Sequence, residues 1–201
     1  GMDVYVGGAP AYSTLGWFND PVLNTFINYS ETDLAELLFH ELAHHHLFVK
    51  GDATFNESFA TAVAQIGVAR WLKTKRGTEQ RDEYLARCAR RYTLSELLAK
   101  SRTQLKELYA SKKTLPQKRR GKAQLIAAMK KDLVALSESD PAYRKLAVWA
   151  KRTINNAVLG ARSVYHRRVP AFYALYEQSS RDMEAFLNEV EKIACLKKKE
   201  R

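Results

Sequence analysis

The stretch FHELAHHHLFVKGDATFNESFA, residues 39–60, decides how this sequence is interpreted. It contains four of the five histidines of the chain and two glutamates, in a mostly apolar setting. Imidazole rings and carboxylates cost free energy when they are buried without partners. The stretch therefore predicts a polar centre inside helical structure, whose members share a common partner.

The motif HELAH, residues 40–44, predicts half of a zinc site. A helix predicted over 33–48 places His40 and His44 on one face, one turn apart. Zinc takes imidazole nitrogens in a tetrahedral shell, so two rings from one rigid helix supply two of its ligands. Glu41 lies about 100° around the helix from His40. It is predicted to sit beside the ion, where a general base for the attacking water belongs.

The same helix is predicted to be buried on all sides. Its apolar residues cover nearly every direction around the axis; they are Leu34, Leu37, Leu38, Phe39, Leu42, Ala43, Leu47, Phe48 and Val49. A helix that is apolar all round is a core helix. Polar side chains on such a helix then need strong partners, and a metal ion supplies one.

Glu57 is the predicted third ligand. Residues 50–52 break the first helix, and a second helix is predicted over 54–73, so Glu57 in its first turns reaches the ion. Two histidines and one glutamate leave a fourth position open, as in catalytic zinc sites. The alternative is a capping box, because residues 54–57 fit the pattern S/T-x-x-E. We favour the ligand, since the two histidines need a third partner. His45 and His46 lie on other faces and are not expected to bind the ion.

The rest of the chain predicts one mainly α, α+β domain over residues 1–201. The alternating and aromatic runs DVYV, AYSTLGWF and LNTFINY predict a small β element over 2–30. The metal-site helices follow over 31–75. A long antiparallel helical hairpin is predicted over 78–138, with TLPQKRRG as its basic turn, and further helices over 140–201.

The net charge of +11 favours anionic partners. The basic run 117–122 is predicted at the tip of the hairpin, where a solvated turn is the simplest explanation. Its functional alternative is contact with an acidic membrane surface. No aromatic residue interleaves the run, so nucleic acid is not the expected partner. No apolar run approaches the length that spans a membrane.

Several separated motifs give the chain a family resemblance. HELAH and NESFA together resemble the gluzincin metallopeptidases, which carry HExxH on one helix and a ligand glutamate on the next. The sequence is more specifically similar to a bacterial family named putative aminopeptidases. The matching motifs, in order, are Ala9–Phe18, His40–His44, Asn56–Ala60, Ile154–Ala157 and Val169–Phe172.

The resemblance implies a zinc peptidase domain of the zincin type. It implies Zn²⁺ held by His40, His44 and Glu57, with Glu41 as general base. It also makes Tyr165 the candidate donor to the oxyanion of the tetrahedral intermediate. Family members usually carry an upstream envelope-targeting segment, so the resemblance suggests localisation in the bacterial envelope or periplasm. The sequence GMDVYVGG at residues 1–8 is no signal peptide. We therefore expect that an upstream segment is missing.

Two further sets of residues are candidates for binding a peptide substrate. Tyr12, Ser13 and Thr14 lie on a predicted strand, to whose edge an extended peptide can add; a purely structural hairpin explains them equally well. Asn155 and Asn156 interrupt a helical stretch, where asparagine is unfavourable and often hydrogen-bonds a nearby loop or site.

An aminopeptidase also needs a carboxylate for the α-amino group of its substrate, and Asp33 and Glu36 flank the His40 face. Amide hydrolysis, by an aminopeptidase above all, is therefore the predicted function. The alternative is a non-catalytic binding module for nucleic acid or an acidic membrane, with a structural or vestigial metal site. The peptide sequence cleaved, exo- or endo-cleavage and the oligomeric state stay open.

Overall fold

The computed structural model describes residues 2–7, 23–75, 77–162 and 168–198. Helices hold 77% of them. The helices are α1 Glu31–His46, α2 Ala53–Lys75, α3 Thr78–Ala110, α4 Leu115–Ser139, α5 Lys145–Lys151, α6 Asn156–Arg162, α7 Val169–Gln178 and α8 Met183–Ala194, with one 3₁₀ turn at Pro141–Tyr143. None of the helices in these ranges is long and apolar enough to cross a membrane.

The predicted α+β class is wrong, because the described residues contain no strand. Residues 2–7 have no regular structure, and residues 24–28 form turns. In these turns the amides of Phe26 and Ile27 both donate to the carbonyl of Leu23. The backbone groups therefore find partners within a few residues rather than in a neighbouring strand. The run AYSTLGWF lies outside the described residues.

The chain divides into two compact units. The site unit comprises Gly7–Arg90 and Tyr165–Arg201, and the hairpin unit comprises Gly1–Val6 and Arg91–Val164. Helix α3 thus contributes residues 78–90 to the first and 91–110 to the second. The expectation of a single domain over 1–201 stays a prediction.

The site unit has a core built on α2, which is buried along most of its length. Phe55 and Phe59 of α2 pack against Phe172 of α7 with ring centroids 5.3 and 5.8 Å away. Phe186 of α8 closes this aromatic cluster at 6.5 Å from Phe59. A second cluster joins α1, α2 and the start of α3 through Phe39, Val68, Leu72, Tyr84 and Cys88. These contacts hold α1 against α2, which positions the predicted site.

The hairpin unit contains residues 91–110 of α3 and all of α4, and the turn between the two helices is shorter than expected. Thr114 caps α4 in a capping box with Gln117, and Pro116 lies in the first helical turn. These residues favour a helix start. The basic run 117–122 therefore belongs to the first turns of α4, and residues 111–114 make the turn. Leu98, Leu105, Met129, Leu133 and Leu159 form the core of this unit.

The two helical glycines of the hairpin unit predict opposite effects of the same substitution. A Cβ at Gly160 would meet no atom within 4 Å, so Gly160→Ala should raise the free energy of unfolding by up to about 1 kcal/mol. A Cβ at Gly121 would lie 2.9 Å from both terminal methyl carbons of the buried Leu108. Gly121→Ala should therefore lose that gain and lower the stability. Denaturant unfolding measures both, and equal stabilisation would contradict the close packing of α3 on α4.

Candidate metal centre

The link between α1 and α2 brings the two motifs together. Helix α1 begins after Ser30, whose hydroxyl accepts from the amide of Asp33, and ends at His46. The chain then reverses through residues 47–52, where Gly51 has a φ of +81°, in the left-handed region that glycine tolerates. Helix α2 starts at Ala53 and packs back along α1. The first turns of α2 therefore face the last turns of α1.

Three side chains meet where these turns face each other. His40 Nε2 lies 3.4 Å from Glu57 Oε2, and His44 Nε2 lies 3.5 Å from Glu57 Oε1. The two Nε2 atoms are 3.1 Å apart. One ligand atom from each residue lies within 4.8 Å of the others, and among the described residues this is the cluster of His, Cys, Asp and Glu side chains able to hold an ion.

These distances fit a tetrahedral zinc site. Ligand atoms bonded to zinc at about 2.0–2.1 Å in a tetrahedral shell are roughly 3.3 Å apart. The three separations, 3.1, 3.4 and 3.5 Å, all lie close to that value. Two imidazole nitrogens and a carboxylate are also the donor set of many catalytic zinc sites. The residues present therefore fit the predicted ion in both chemistry and spacing.

The electrostatics of the cluster favour a bound cation. Hydrogen bonds from His40 and then His44 lower the pKa of Glu57 to about 2, against the smaller upward effect of burial. The carboxylate is therefore anionic through the neutral and mildly acidic range. Nδ1 of His44 is buried and has no hydrogen-bond partner among the described residues. Nε2 is then the ring atom through which His44 acts.

The three side chains of the cluster are exposed to different degrees. The side chain of His44 is 9% exposed, whereas those of His40 and Glu57 are 25% and 33% exposed. Glu41, next to His40, is half-buried and makes no hydrogen bond or ion pair within the described ranges. Leu38 and Leu42 are 50% and 62% exposed. The prediction that α1 is buried all round is therefore wrong, and its exposed apolar face adjoins Glu41 in the sequence.

The structure removes the capping-box alternative for Glu57. Helix α2 begins one residue before Thr54, and the carboxylate of the buried Asp52 accepts from the amide of Phe55 at 3.2 Å. Asp52 is thus the N-cap residue, and Arg168 Nη1 lies 3.6 Å from its other oxygen. Glu57 lies beyond the cap, where its oxygens face the histidines.

Asn56 fixes the link and was not singled out by the sequence interpretation. Its side chain accepts from the amide of Val49 at 2.8 Å and donates to the carbonyl of Val49 at 2.9 Å. Asn56 is 2% exposed, so both bonds are made away from water. They hold the end of the link against the first turn of α2, one residue before Glu57. The signal in the sequence was an asparagine directly before the candidate ligand.

Two of the other predicted site residues belong to the hairpin unit. Asn155 donates to the carbonyl of Val4 at 3.1 Å, and the amide of Asn156 donates to Asp3 at 3.0 Å, so both hold the N-terminal segment of the hairpin unit. Their role in substrate binding stays a prediction. Tyr12, Ser13, Thr14 and Tyr165 lie outside the described residues, and their roles also stay predictions.

The flanking acids and histidines have partners of their own. Arg87 of α3 lies 2.8 Å from Asp33 and 3.6 Å from Glu36, so both carboxylates that were considered for the substrate's amino group are paired. His46 lies 3.0 Å from Glu191 of α8 and is not one of the three clustered residues. His45 is exposed.

Comparison with known proteins gives one finding about the whole chain. A protein-family model described as putative aminopeptidase matches residues 1–201. No curated protein and no solved structure matches the chain.

Asn56 should affect metal binding although it offers no ligand atom. In Asn56→Ala the link loses both side-chain bonds to Val49, so Glu57 is held less well and zinc affinity should fall roughly tenfold to a hundredfold. Gln65→Ala is the matched control, because Gln65 is also a buried amide of α2 and bonds Tyr173 instead. Competition with a chromophoric chelator measures both variants. An equal loss of affinity in the control would mean that general destabilisation, not positioning, is the cause.

Proposed function

The chain belongs to the putative aminopeptidase family, and we propose that it is a zinc-dependent peptidase, most specifically an aminopeptidase, of the HExxH gluzincin type. The observation that carries this proposal is the convergence of His40, His44 and Glu57 at separations suited to a tetrahedral ion. This convergence was expected from HELAH and NESFA alone, and the family description supports a peptidase.

The proposed roles of the described residues rest on the positions of their side chains, and those of Tyr165, Tyr12, Ser13 and Thr14 rest on the sequence alone. His40, His44 and Glu57 would hold the ion, which when bound supplies a Lewis acid for the peptide carbonyl and the attacking water. Glu41 would take the proton from that water and pass it to the leaving amine. Its carboxylate has no partner within the described ranges that would compete for this proton. Tyr165 would stabilise the oxyanion, and Tyr12, Ser13 and Thr14 would contact the peptide.

The half-exposed side of the cluster supports access by a substrate. His40 and Glu57 both keep part of their surface in solvent, which a structural zinc site enclosed by four protein ligands does not require. The described residues offer three clustered donors, so a fourth position is left for the reaction. The binding module with a structural metal is the competing function, and peptide cleavage by the zinc-loaded chain separates the two.

The first test asks whether Glu57 binds zinc. At a zinc concentration of about 100 times the dissociation constant, the parent should gain roughly 2.7 kcal/mol of stability by linkage. Glu57→Gln keeps the size but loses the charge of the ligand. If affinity falls about a hundredfold, the gain drops to roughly 0.4 kcal/mol.

Melting curves with zinc and with chelator measure this gain. Glu83→Gln is the control, because Glu83 is an exposed glutamate of the same unit outside the cluster. A Glu57→Gln protein that gains as much from zinc as the parent does would show that the third ligand is another residue. Zinc retained by a His40→Ala, His44→Ala variant at one ion per chain would exclude the site altogether.

The second test separates metal binding from proton transfer. Glu41→Gln should keep the fold and the zinc content, since Glu41 is not in the ligand cluster. It should lower the peptidase rate by about 10²–10⁴, because an amide cannot accept the proton. Glu31→Gln, at an exposed residue in the first turn of α1, should keep the parental rate. Activity of Glu41→Gln within about tenfold of the parent would assign the base to another group.

A further inference from the structure

The two units of the chain differ in charge. The hairpin unit contains 17 Lys and Arg and 6 Asp and Glu, whereas the site unit contains 16 of each. The entire net charge of +11 therefore belongs to the hairpin unit. A surface of one sign attracts partners of the opposite sign over a distance of about one Debye length. An anionic partner is thus expected at the hairpin unit rather than at the site unit.

The cations concentrate at the turn between α3 and α4. We call residues 112–120 the basic tip; its cations are Lys112, Lys113, Lys118, Arg119 and Arg120. The sequence contains no acid between Glu107 and Asp132. A continuous stretch of more than twenty residues around the tip therefore carries only positive charges.

Four of these cations are available to a partner. Lys112, Lys113, Arg119 and Arg120 are exposed and make no hydrogen bond or ion pair with the described parts of the chain. Lys118 differs, because it donates to the carbonyl of Tyr109 at 2.7 Å and so stabilises the turn. Lys118 and the capping box at Thr114 therefore stabilise the tip. The other four cations form no ion pair with the described residues.

An apolar side chain lies between these cations. Leu115 is the first residue of α4 and is 63% exposed, and Pro116 beside it is exposed as well. A leucine at the end of a helical hairpin, flanked by lysine and arginine, has the composition of a membrane-interface contact. Binding to single-stranded nucleic acid instead uses aromatic side chains for stacking. No Phe, Trp or Tyr occurs from residue 110 to residue 142.

We propose that the basic tip binds the surface of an anionic lipid bilayer. Lys112, Lys113, Arg119 and Arg120 contact the lipid headgroups, and Leu115 enters the interface between them. Each basic residue near such a surface strengthens binding about fivefold. Four of them with one apolar side chain give reversible, salt-sensitive attachment, which does not depend on whether the other unit hydrolyses peptides.

Sedimentation of the full chain with lipid vesicles tests the proposal. Vesicles of phosphatidylcholine with 30% phosphatidylglycerol should bind the chain, and vesicles of phosphatidylcholine alone should not. The binding should weaken as salt rises from 0.05 to 0.5 M. Absence of binding to the anionic vesicles at low salt would overturn the proposal.

Two variants of equal charge locate the contact. Lys112→Gln, Lys113→Gln, Arg119→Gln, Arg120→Gln should lower the affinity by at least a hundredfold. The control replaces Lys131, Arg144, Lys145 and Lys151, which are exposed residues of the same unit, and should stay within about tenfold of the parent. An equal loss in both would show that overall charge, not the tip, binds the bilayer. The variant Lys112→Gln, Lys113→Gln changes only the turn and no helical residue, and its affinity for the anionic vesicles should still fall about 25-fold.

Separate experiments test the apolar contact of Leu115 and the nucleic-acid alternative. Leu115→Ser should weaken binding several-fold, while Val148→Ser, which removes another exposed apolar side chain of this unit, should not. Equal effects of the two would overturn the insertion of Leu115. Fluorescence anisotropy with a labelled oligonucleotide at physiological salt is the final arm. Nucleic-acid binding that is lost in the tip variant, without binding to vesicles, would replace the bilayer by nucleic acid as the partner.

Discussion

The contact of Glu57 with His40 and His44 is the interaction around which the site unit is organised. Two imidazole rings one turn apart on α1 bring their Nε2 atoms together, and a carboxylate on the next helix lies 3.4 and 3.5 Å from them. This meeting requires a chain reversal within six residues, between His46 and Ala53. The buried side chain of Asp52 in that reversal must then find partners away from water, because burial without one costs free energy.

The residues of the motif NESFA contact different parts of the site unit. Asn56 closes the link on Val49, and Ser58 accepts from the backbone amide of Arg168 at 3.3 Å. Phe59 is fully buried in the core with α7 and α8. Successive helix positions thus serve the link, the site, the neighbouring segment and the core in turn. The motif is therefore a structural unit as well as a candidate ligand set, which explains why one glutamate can be held so close to two histidines.

The local parts of this arrangement could be predicted from the sequence, and the parts set by distant partners could not. Spacing of four residues on a helix and a short glycine-containing link are enough to bring His40, His44 and Glu57 together. The fold class was predicted wrongly, because the alternation of polar and apolar residues near the N-terminus is typical of a strand. In the structure, Asn155 donates to the carbonyl of Val4 and the amide of Asn156 donates to the carboxylate of Asp3, so this segment is bound by side-chain and loop contacts instead. Asparagines that serve a fold and asparagines that serve a substrate make the same hydrogen bonds, so composition cannot separate them.

Charge leads to a related distinction between the two units. Because the positive and negative residues of the site unit balance, the unit has no net charge to attract a ligand, and any selection at the proposed site would depend on groups in contact with the ligand. Asp33 and Glu36 illustrate this, since Arg87 is already paired with both carboxylates and offsets one of their two negative charges. The hairpin unit keeps its charge unbalanced, at a cost in self-repulsion that its core of Leu98, Leu105, Met129 and Leu133 must offset. The four exposed cations of the basic tip add to this self-repulsion, and an anionic partner bound there would relieve it.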